Sequence, residues 1–421
     1  EAESRLDPAV LLSPPLFPKK NIPFPYPRNP GLPAMAAAAA ADWKNLHRDL
    51  LTRIFLLLTC ITDRVKFSTL CKHWRSVALQ NPSPLPWLLM PSTAVTSCYR
   101  IFGGFGNPRP YLADHPRGAR FCGSFPGGWF VVALEQIRGH ALLNLRSGER
   151  VQLPDRVRIR ERFYLDTGAD MHLKNNTRKC PVFVRTATMS AAGGGAGACV
   201  VAALTNGPTN IAFWRPGMDC WSTTKTQIRA DAEDLAFHDG WFYAVTPREE
   251  LFRYKVSSRA NGAIKVRGHG STLYESWQAP LVSGEIVSRY LLPSASGKDL
   301  LMVKRYVHPV RGTWRFQVFT LLQQQAEGGP AFCRRFYRMW GQVLFVGRGC
   351  SKAFDTGSRQ AGCIYFLDDI GRGSVLQQKH YLCTDTGSFS RLTSPRHPDE
   401  INHCLPKGIP SETSPWIWYL Q

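Results

Sequence analysis

Residues 235–256, "LAFHDGWFYAVTPREELFRYKV", decide how the larger part of the chain folds. Apolar and polar residues alternate with a period of two in three short runs. The runs are parted by His238-Asp239-Gly240 and by Thr246-Pro247-Arg248-Glu249. Alternation of this kind places successive side chains on opposite faces of a strand, and clusters rich in Asp, Gly and Pro turn the chain. The stretch therefore predicts strand, turn, strand, turn, strand. Residues 128–154, "GWFVVALEQIRGHALLNLRSGERVQLP", and 198–224, "ACVVAALTNGPTNIAFWRPGMDCWSTT", have the same layout.

From Pro91 almost to the end the same texture continues, in runs such as "DLLMVKRYV", "WRFQVFTLL", "QVLFVG" and "CIYFLDD". An all-β region of about 320 residues is too large for one simple sandwich, so closure by repetition is the economical solution. Units of about 50 residues, of kelch-like length, predict a β-propeller of around six blades, with five and seven also compatible. The terminal "SPWIWYLQ" (414–421) sets aromatic residues where a chain end is normally polar. It predicts a closing strand paired with an early one, around 97–103 or 130–136.

The amino-terminal part reads differently. Residues 1–34 carry nine prolines and no apolar periodicity, which predicts disorder. Met35 before an alanine run has the look of a translation start, so the expectation for residues 1–41 is a disordered Pro/Ala-rich segment, an extension of the gene model before Met35. From Asp42 the period becomes helical: Leu46, Leu50, Leu51, Ile54, Phe55 and Leu58 recur at three- and four-residue intervals. Asn45 is the expected N-cap. After a polar break, "TCITDR", the apolar set Val65, Phe67, Leu70, Cys71, Trp74, Val77 and Ala78 predicts one or two further helices, stopped by Pro82. Residues 42–82 thus form a small all-α unit, 83–96 a proline-rich junction and 97–421 the β domain. Forty residues bury too little surface to be robust alone, so the unit needs a partner or a neighbouring domain.

"DWKNLHRDLLTRIFLLL" and "DRVKFSTLCKHWRSVA" resemble the F-box motif. Trp43, Leu46, Asp49, Leu50, Leu51 and Ile54 match its first part; Phe67, Cys71, Trp74, Arg75 and Ala78 match its second. His47 stands where the family has proline, and Leu70 where valine is common. The β region resembles the KIB-type domain of plant F-box proteins, on "PWLLMP" (86–91), "WGQVLFVGRGCSKAFD" (340–355), "GCIYFLDD" (362–369) and the terminal "SPWIWYLQ". The resemblance implies a non-catalytic, substrate-recognising subunit of a Skp-cullin-F-box ubiquitin ligase. Docking on the Skp-type adaptor, and through it on a cullin, would fall to Leu46, His47, Leu50, Leu51, Ile54, Phe55, Leu58, Phe67, Cys71 and Trp74. The β domain would hold a protein target, in cytoplasm or nucleus.

Composition bounds the alternatives. Twelve cysteines are scattered with no CxxC pair and no metal-ligand spacing, which predicts reduced thiols and no metal site. The longest apolar stretch, "IFLLLTCI", is too short for the roughly 20 residues a membrane span needs. A net charge of +21 invites nucleic acid, but the charge is spread along the chain, so a basic propeller that binds nucleic acid or acts in a complex unrelated to ubiquitin is the second reading. "GGGAGACVV" (193–201) lacks the Lys-Ser/Thr of a phosphate loop, "GRGCSKAF" (347–354) lacks a base partner for its Ser, and "FLDD" and His238-Asp239 suit turns. These features predict neither a catalytic residue nor a cofactor.

Overall fold

The computed structural model describes residues 43–58, 61–81, 86–90, 97–99, 118–135, 139–145, 147–166, 171–190, 199–206, 210–224, 228, 232–258, 263–274, 284–326, 329–337, 339, 341–355, 362–367, 375–377, 380–382, 389–392, 401–403, 414 and 416–420. The chain divides into residues 1–43 and 44–421, and the architecture is that of the second unit. The expected disordered segment, most of the proline junction, the glycine run at 193–198 and Asp368-Asp369 lie outside the described residues.

Three helices come first: α1 (Arg48–Leu57), α2 (Ile61–Leu70) and α3 (Lys72–Gln80). The N-cap of α1 is His47, two residues beyond the expected Asn45. Trp43–Asn45 forms a 3-10 turn, so the chain extends only at His47 (ψ 140°), whose Nδ1 accepts the Asp49 N–H at 3.4 Å. The expected polar break is shorter than its sequence suggests, because Ile61-Thr62-Asp63-Arg64 already belong to α2. Leu51, Phe55, Phe67 and Val77 form the core of this unit, with Leu46, Ile54, Leu58, Trp74 and Ala78 packed against it. The Phe67 ring lies 5.2 Å from Phe55 and 4.4 Å from Trp74, tying the three helices together. The end of α3 is satisfied by Asn81, whose amide side chain donates to Val77 O at 2.9 Å.

The β region opens with β1 (Trp87–Met90) and β2 (Ser97–Tyr99). Blade one is β3 (Arg120–Phe125), β4 (Trp129–Ala133), β5 (His140–Asn144) and β6 (Arg150–Gln152). A long hairpin follows, β7 (Arg156–Asp166) and β8 (Met171–Pro181). Blade two is β9 (Phe183–Met189), β10 (Val201–Asn206), β11 (Ile211–Trp214) and β12 (Trp221–Ser222), and the hairpin adds to its outer edge by parallel pairing of β7 with β12.

Blade three, β13 (Asp234–His238), β14 (Trp241–Val245), β15 (Glu250–Ser258) and β16 (Ile264–Tyr274), contains the stretch that predicted it. Blade four is β17 (Ile286–Pro293), β18 (Leu300–His308), β19 (Gly312–Ala326) and β20 (Gly329–Phe336), joined to blade three where β16 meets β20. Blade five holds β21 (Gln342–Val346), β22 (Lys352–Asp355) and β23 (Cys363–Leu367). A separate hairpin, β24 (Val375–Gln377) and β25 (His380–Leu382), precedes its last strands, β26 (Phe389–Leu392) and β27 (Ile401–His403). Finally β28 (Ile417–Tyr419) pairs antiparallel with β1, making a three-stranded sheet in the order β2, β1, β28.

The expected six blades are therefore five. The β7–β8 hairpin, the long strands of blade four and the closing sheet use the chain that an even repeat would assign to a sixth. The terminal strand does join an early one, but its partner is β1 rather than 97–103 or 130–136. β2 already occupies the other edge of β1, which leaves β28 the remaining edge to cover.

Central strands such as β4, β5 and β23 are buried along their whole length. Blades stack face to face, so both faces of an inner strand meet apolar neighbours, and a run such as Trp129–Ala133 needs no polar side. One apolar cluster fills each seam: blades one and two, two and three, three and four, four and five. A fifth closes the ring, packing Leu88, Leu89 and Trp416–Leu420 between blades one and five. No helix among the described residues is long and apolar enough to cross a membrane.

Candidate functional site

The helical unit divides its apolar residues into two sets. Leu51, Phe55 and Phe67 are buried in its core, so these three hold the helices together rather than face a partner. Leu46, Ile54, Leu58, Cys71 and Trp74 are half-buried, and His47 is exposed. Leu50 is 48% exposed, and it is joined by Leu57 at 59%, Leu70 at 64% and Leu79 at 59%, with Leu56 also exposed. Leu70 stood in the apolar set expected of the later helices, whereas periodicity marked neither Leu79 of α3 nor Leu56 and Leu57 of α1. The signal was the run Ile54-Phe55-Leu56-Leu57-Leu58, which holds more consecutive apolar residues than one face of a helix can bury. An isolated exposed leucine is ordinary; this many on so small a unit mark surface suited to a partner. His73 and Arg75 of α3 brace the unit, His73 Nε2 lying 3.1 Å from Leu46 O and Arg75 Nε donating to Ser68 O at 3.3 Å.

The propeller carries its buried polar groups at the seams and at its centre. Arg120 and Arg305 are fully buried. Arg120 Nη2 donates to Val184 O at 2.6 Å, tying blade one to two, and Arg305 Nη1 donates to Leu367 O at 2.7 Å, tying four to five. His140 lies 3.1 Å from Asp155 through Nδ1 and accepts the Val184 N–H through Nε2. Burial pushes its pKa down and outweighs the contact with Asp155. Between blades three and four, Arg289 donates to Glu233 and Glu249, and Lys304 Nζ lies 2.7 Å from Glu249. Burial, and more weakly the charge of Arg289, lower the Lys304 pKa.

The turn Gly347–Cys350, within the stretch "GRGCSKAF", reaches the middle of the ring. Gly349 N–H donates to Asp234 at 3.1 Å, and Gly349 O accepts from Ser124 N at 2.9 Å. A methyl group at Gly349 would lie 2.9 Å from Cys122 O and 3.0 Å from Ala187 O. One residue of blade five thus touches inner strands of blades one, two and three. Asp234 also accepts the Leu291 N–H of blade four at 2.9 Å. Burial raises its pKa to about 7, against the lowering effect of these bonds and of Arg348.

Both Asp234 oxygens are engaged by backbone donors, and the Ser351 hydroxyl donates to Gly347 O within its own turn. These groups act as struts. Nothing in the sequence signalled the role of Asp234, because a strut and a catalytic carboxylate are the same residue until their neighbours are known. The His238-Asp239-Gly240 segment is the expected hairpin turn, with positive φ at Asp239 (44°) and Gly240 (71°). Among the described residues no group of three or more His, Cys, Asp or Glu could hold a metal ion, and Cys71, Cys122, Cys180, Cys199, Cys220, Cys350 and Cys363 are free thiols.

A protein-family model described as the KIB1-4 beta-propeller matches residues 105–390. No curated protein matches the chain. Among solved structures, the N-terminal domain of Nup159 is 9% identical, covers 76% of this chain and 76% of its own, and superposes with a TM-score of 0.32. The Dos1 propeller is 11% identical over 67% of this chain and 73% of its own, with a TM-score of 0.30. The β-propeller domain of Myceliophteria thermophila Cps50 (Swd1) is 8% identical over 70% and 88%, with a TM-score of 0.28. Likenesses this distant decide nothing about this chain.

Proposed function

The chain belongs to the KIB1-4 β-propeller family, and we propose that it is the substrate-recognition subunit of a Skp-cullin-F-box ubiquitin ligase. In this reading the helical unit docks on the Skp-type adaptor, and through it on a cullin, while the propeller holds a protein target. The chain is not an enzyme. It works by position, raising the effective concentration of a target beside the ubiquitin-conjugating enzyme, in cytoplasm or nucleus.

One observation carries the reading: the α1–α3 unit has a core of its own, Leu51, Phe55, Phe67 and Val77, and still exposes Leu50, Leu56, Leu57, Leu70 and Leu79. The F-box resemblance of the same residues supplies the kind of partner. Burying a leucine contributes about 1.5–3 kcal/mol, so a few of these are enough to anchor a complex. Co-purification of the chain with a Skp-type adaptor and a cullin tests the proposal. Failure to capture the adaptor in stoichiometric amount would overturn it.

A further inference from the structure

The outer part of blade three sets cations against one another on one face of its sheet. In the pairing of β15 with β16, Lys255 stands opposite Arg267, Arg253 opposite His269 and Ser257 opposite Lys265. Residues directly opposite in an antiparallel pair share a face, their Cβ atoms about 4.5–5.5 Å apart. Lys255, Ser257, Lys265, Arg267 and His269 are exposed there, and Arg253 is buried. Trp241 joins them from β14, its ring centroid 4.6 Å from the Arg253 guanidinium carbon and 5.1 Å from Lys255 Nζ. The ring steadies both cations.

Elsewhere the chain answers such groups with acids. Arg158 and Lys179 share Asp219, and Arg289 and Lys304 share Glu249. Among the described residues Lys255, Lys265 and Arg267 form no ion pair, and Asp239 in the β13–β14 turn pairs with none of them. On the same face β14 presents Tyr243 opposite Arg253, not a carboxylate. Like charges directly opposite destabilise a sheet, so Lys255 against Arg267 weakens the protein when nothing is bound. A local rule broken with no compensation inside the fold points to something outside it.

We propose that this face binds a phosphorylated segment of a protein target, its phosphoryl group seated between Lys255 and Arg267 with Lys265 and His269 on either side. The inference deepens the reading above and rests on it only in taking that protein for a ligase target. A phosphoryl group carries about −1.5 to −2 charges near pH 7 and three strong acceptor oxygens. It neutralises the opposed pair, whereas a carboxylate brings one charge. Arg267 offers a planar fork for two of those oxygens and Lys255 a point charge. Nucleic acid fits less well. The row Lys265, Arg267, His269 spans two repeats of an extended strand, about 13 Å, and a single strand is held along a track of several nucleotides.

The test uses the full chain and fluorescence anisotropy at about 0.15 M salt, where exposed charges more than about 8 Å apart are largely screened. The probes are a labelled Gly/Ala-rich peptide of about ten residues with one central phosphoserine, the same peptide with serine, the same with glutamate, and an oligothymidylate of equal net charge. The phosphoserine peptide is expected to bind at least about tenfold more tightly than each of the others. The double variant Lys255→Gln, Arg267→Gln should lose at least about tenfold in phosphopeptide affinity. It should melt at or above the temperature of the unmodified chain, because the opposed like charges are gone; should it not fold, Arg267→Gln alone is read for the same loss.

Equal binding of the serine or glutamate peptide, equal binding by the variant, or tighter binding of the oligothymidylate would each overturn the inference, as would a folded variant that melts several degrees lower. Adaptor capture is measured on the same preparations. Absent phosphopeptide preference with intact adaptor capture overturns this inference alone. Phosphopeptide preference without adaptor capture upholds it and overturns the ligase reading.

Discussion

The carboxylate of Asp234 accepts the backbone N–H of Gly349 at 3.1 Å across 115 residues of chain, joining the inner strand of blade three to the turn of blade five at the centre of the ring. Gly349 has φ +67° and faces the carbonyls of Cys122 and Ala187. Gly349→Ala should therefore destabilise the propeller by more than the ~1–2 kcal/mol of a left-handed alanine alone, since the methyl also meets backbone that cannot yield. A fall in melting temperature of several degrees is expected. An unchanged melting curve would show that the centre of the ring is loosely packed.

Asp234 makes stability depend on pH in a defined sense. Its pKa in the folded protein is about 7, raised from an ordinary carboxylate value by burial. Between pH 4 and 7 the folded state then binds more protons than the unfolded state, so this group's contribution falls as pH rises through that window and is flat above about pH 8. Asp234→Asn should abolish that slope. It should also lower stability by about 1–3 kcal/mol at acid pH, because the amide accepts only one of the two backbone N–H bonds. Thermal melts of both proteins across pH 4–8 measure the difference; parallel curves would assign the slope elsewhere.

The closing strand should be indispensable. Trp418 is fully buried, its Nε1–H donates to Val346 O at 3.0 Å, and its ring packs edge-on against Phe345 at 5.1 Å. Trp418→Ala should cost about 3–5 kcal/mol, and removal of residues 415–421 should leave the β region insoluble or molten. A truncated chain that stays soluble and melts cooperatively would mean that the ring closes without β28.

Neighbouring leucines in α1 should behave oppositely. Leu50 is half-exposed and Leu51 fully buried. Leu50→Lys should leave the helical unit folded and abolish adaptor capture. Leu51→Lys should unfold the unit, since it strands a charge in the core. Circular dichroism of the helical signal alongside an adaptor pull-down separates the two; adaptor capture by Leu50→Lys at the unmodified level would move the interface to another face.

His47→Pro should be tolerated. The backbone φ of −55° at this position lies within the range proline fixes. The change gives up a long 3.4 Å cap from Nδ1, an exposed 3.6 Å contact of the same nitrogen with Asp49 Oδ2, and the backbone N–H. Adaptor affinity equal to or above that of the unmodified chain is expected, and a loss of binding would assign the imidazole a direct contact.

Local pattern determined the kinds of element, and it did so wherever the physics is local. Alternation with turn residues between the runs made 235–256 three strands, and the three- and four-residue spacing of Leu46 to Leu58 made a helix. The propeller-family landmarks at 340–355 and 362–369 were legible for the same reason, being short strings of residues. Tertiary structure alone decided the rest. The number of blades depends on how much chain each consumes, and nothing within β7 or β8 announces that they extend blade two instead of founding another. The partner of β28 was fixed by which edge of β1 remained open. Asp234, Arg305 and Gly349 look like any acid, base or turn in the chain. They became struts because residues far apart in sequence, Leu291 and Gly349 for Asp234 and Leu367 for Arg305, were brought within hydrogen-bonding distance, and a buried charge or N–H must be satisfied by whatever the fold puts beside it.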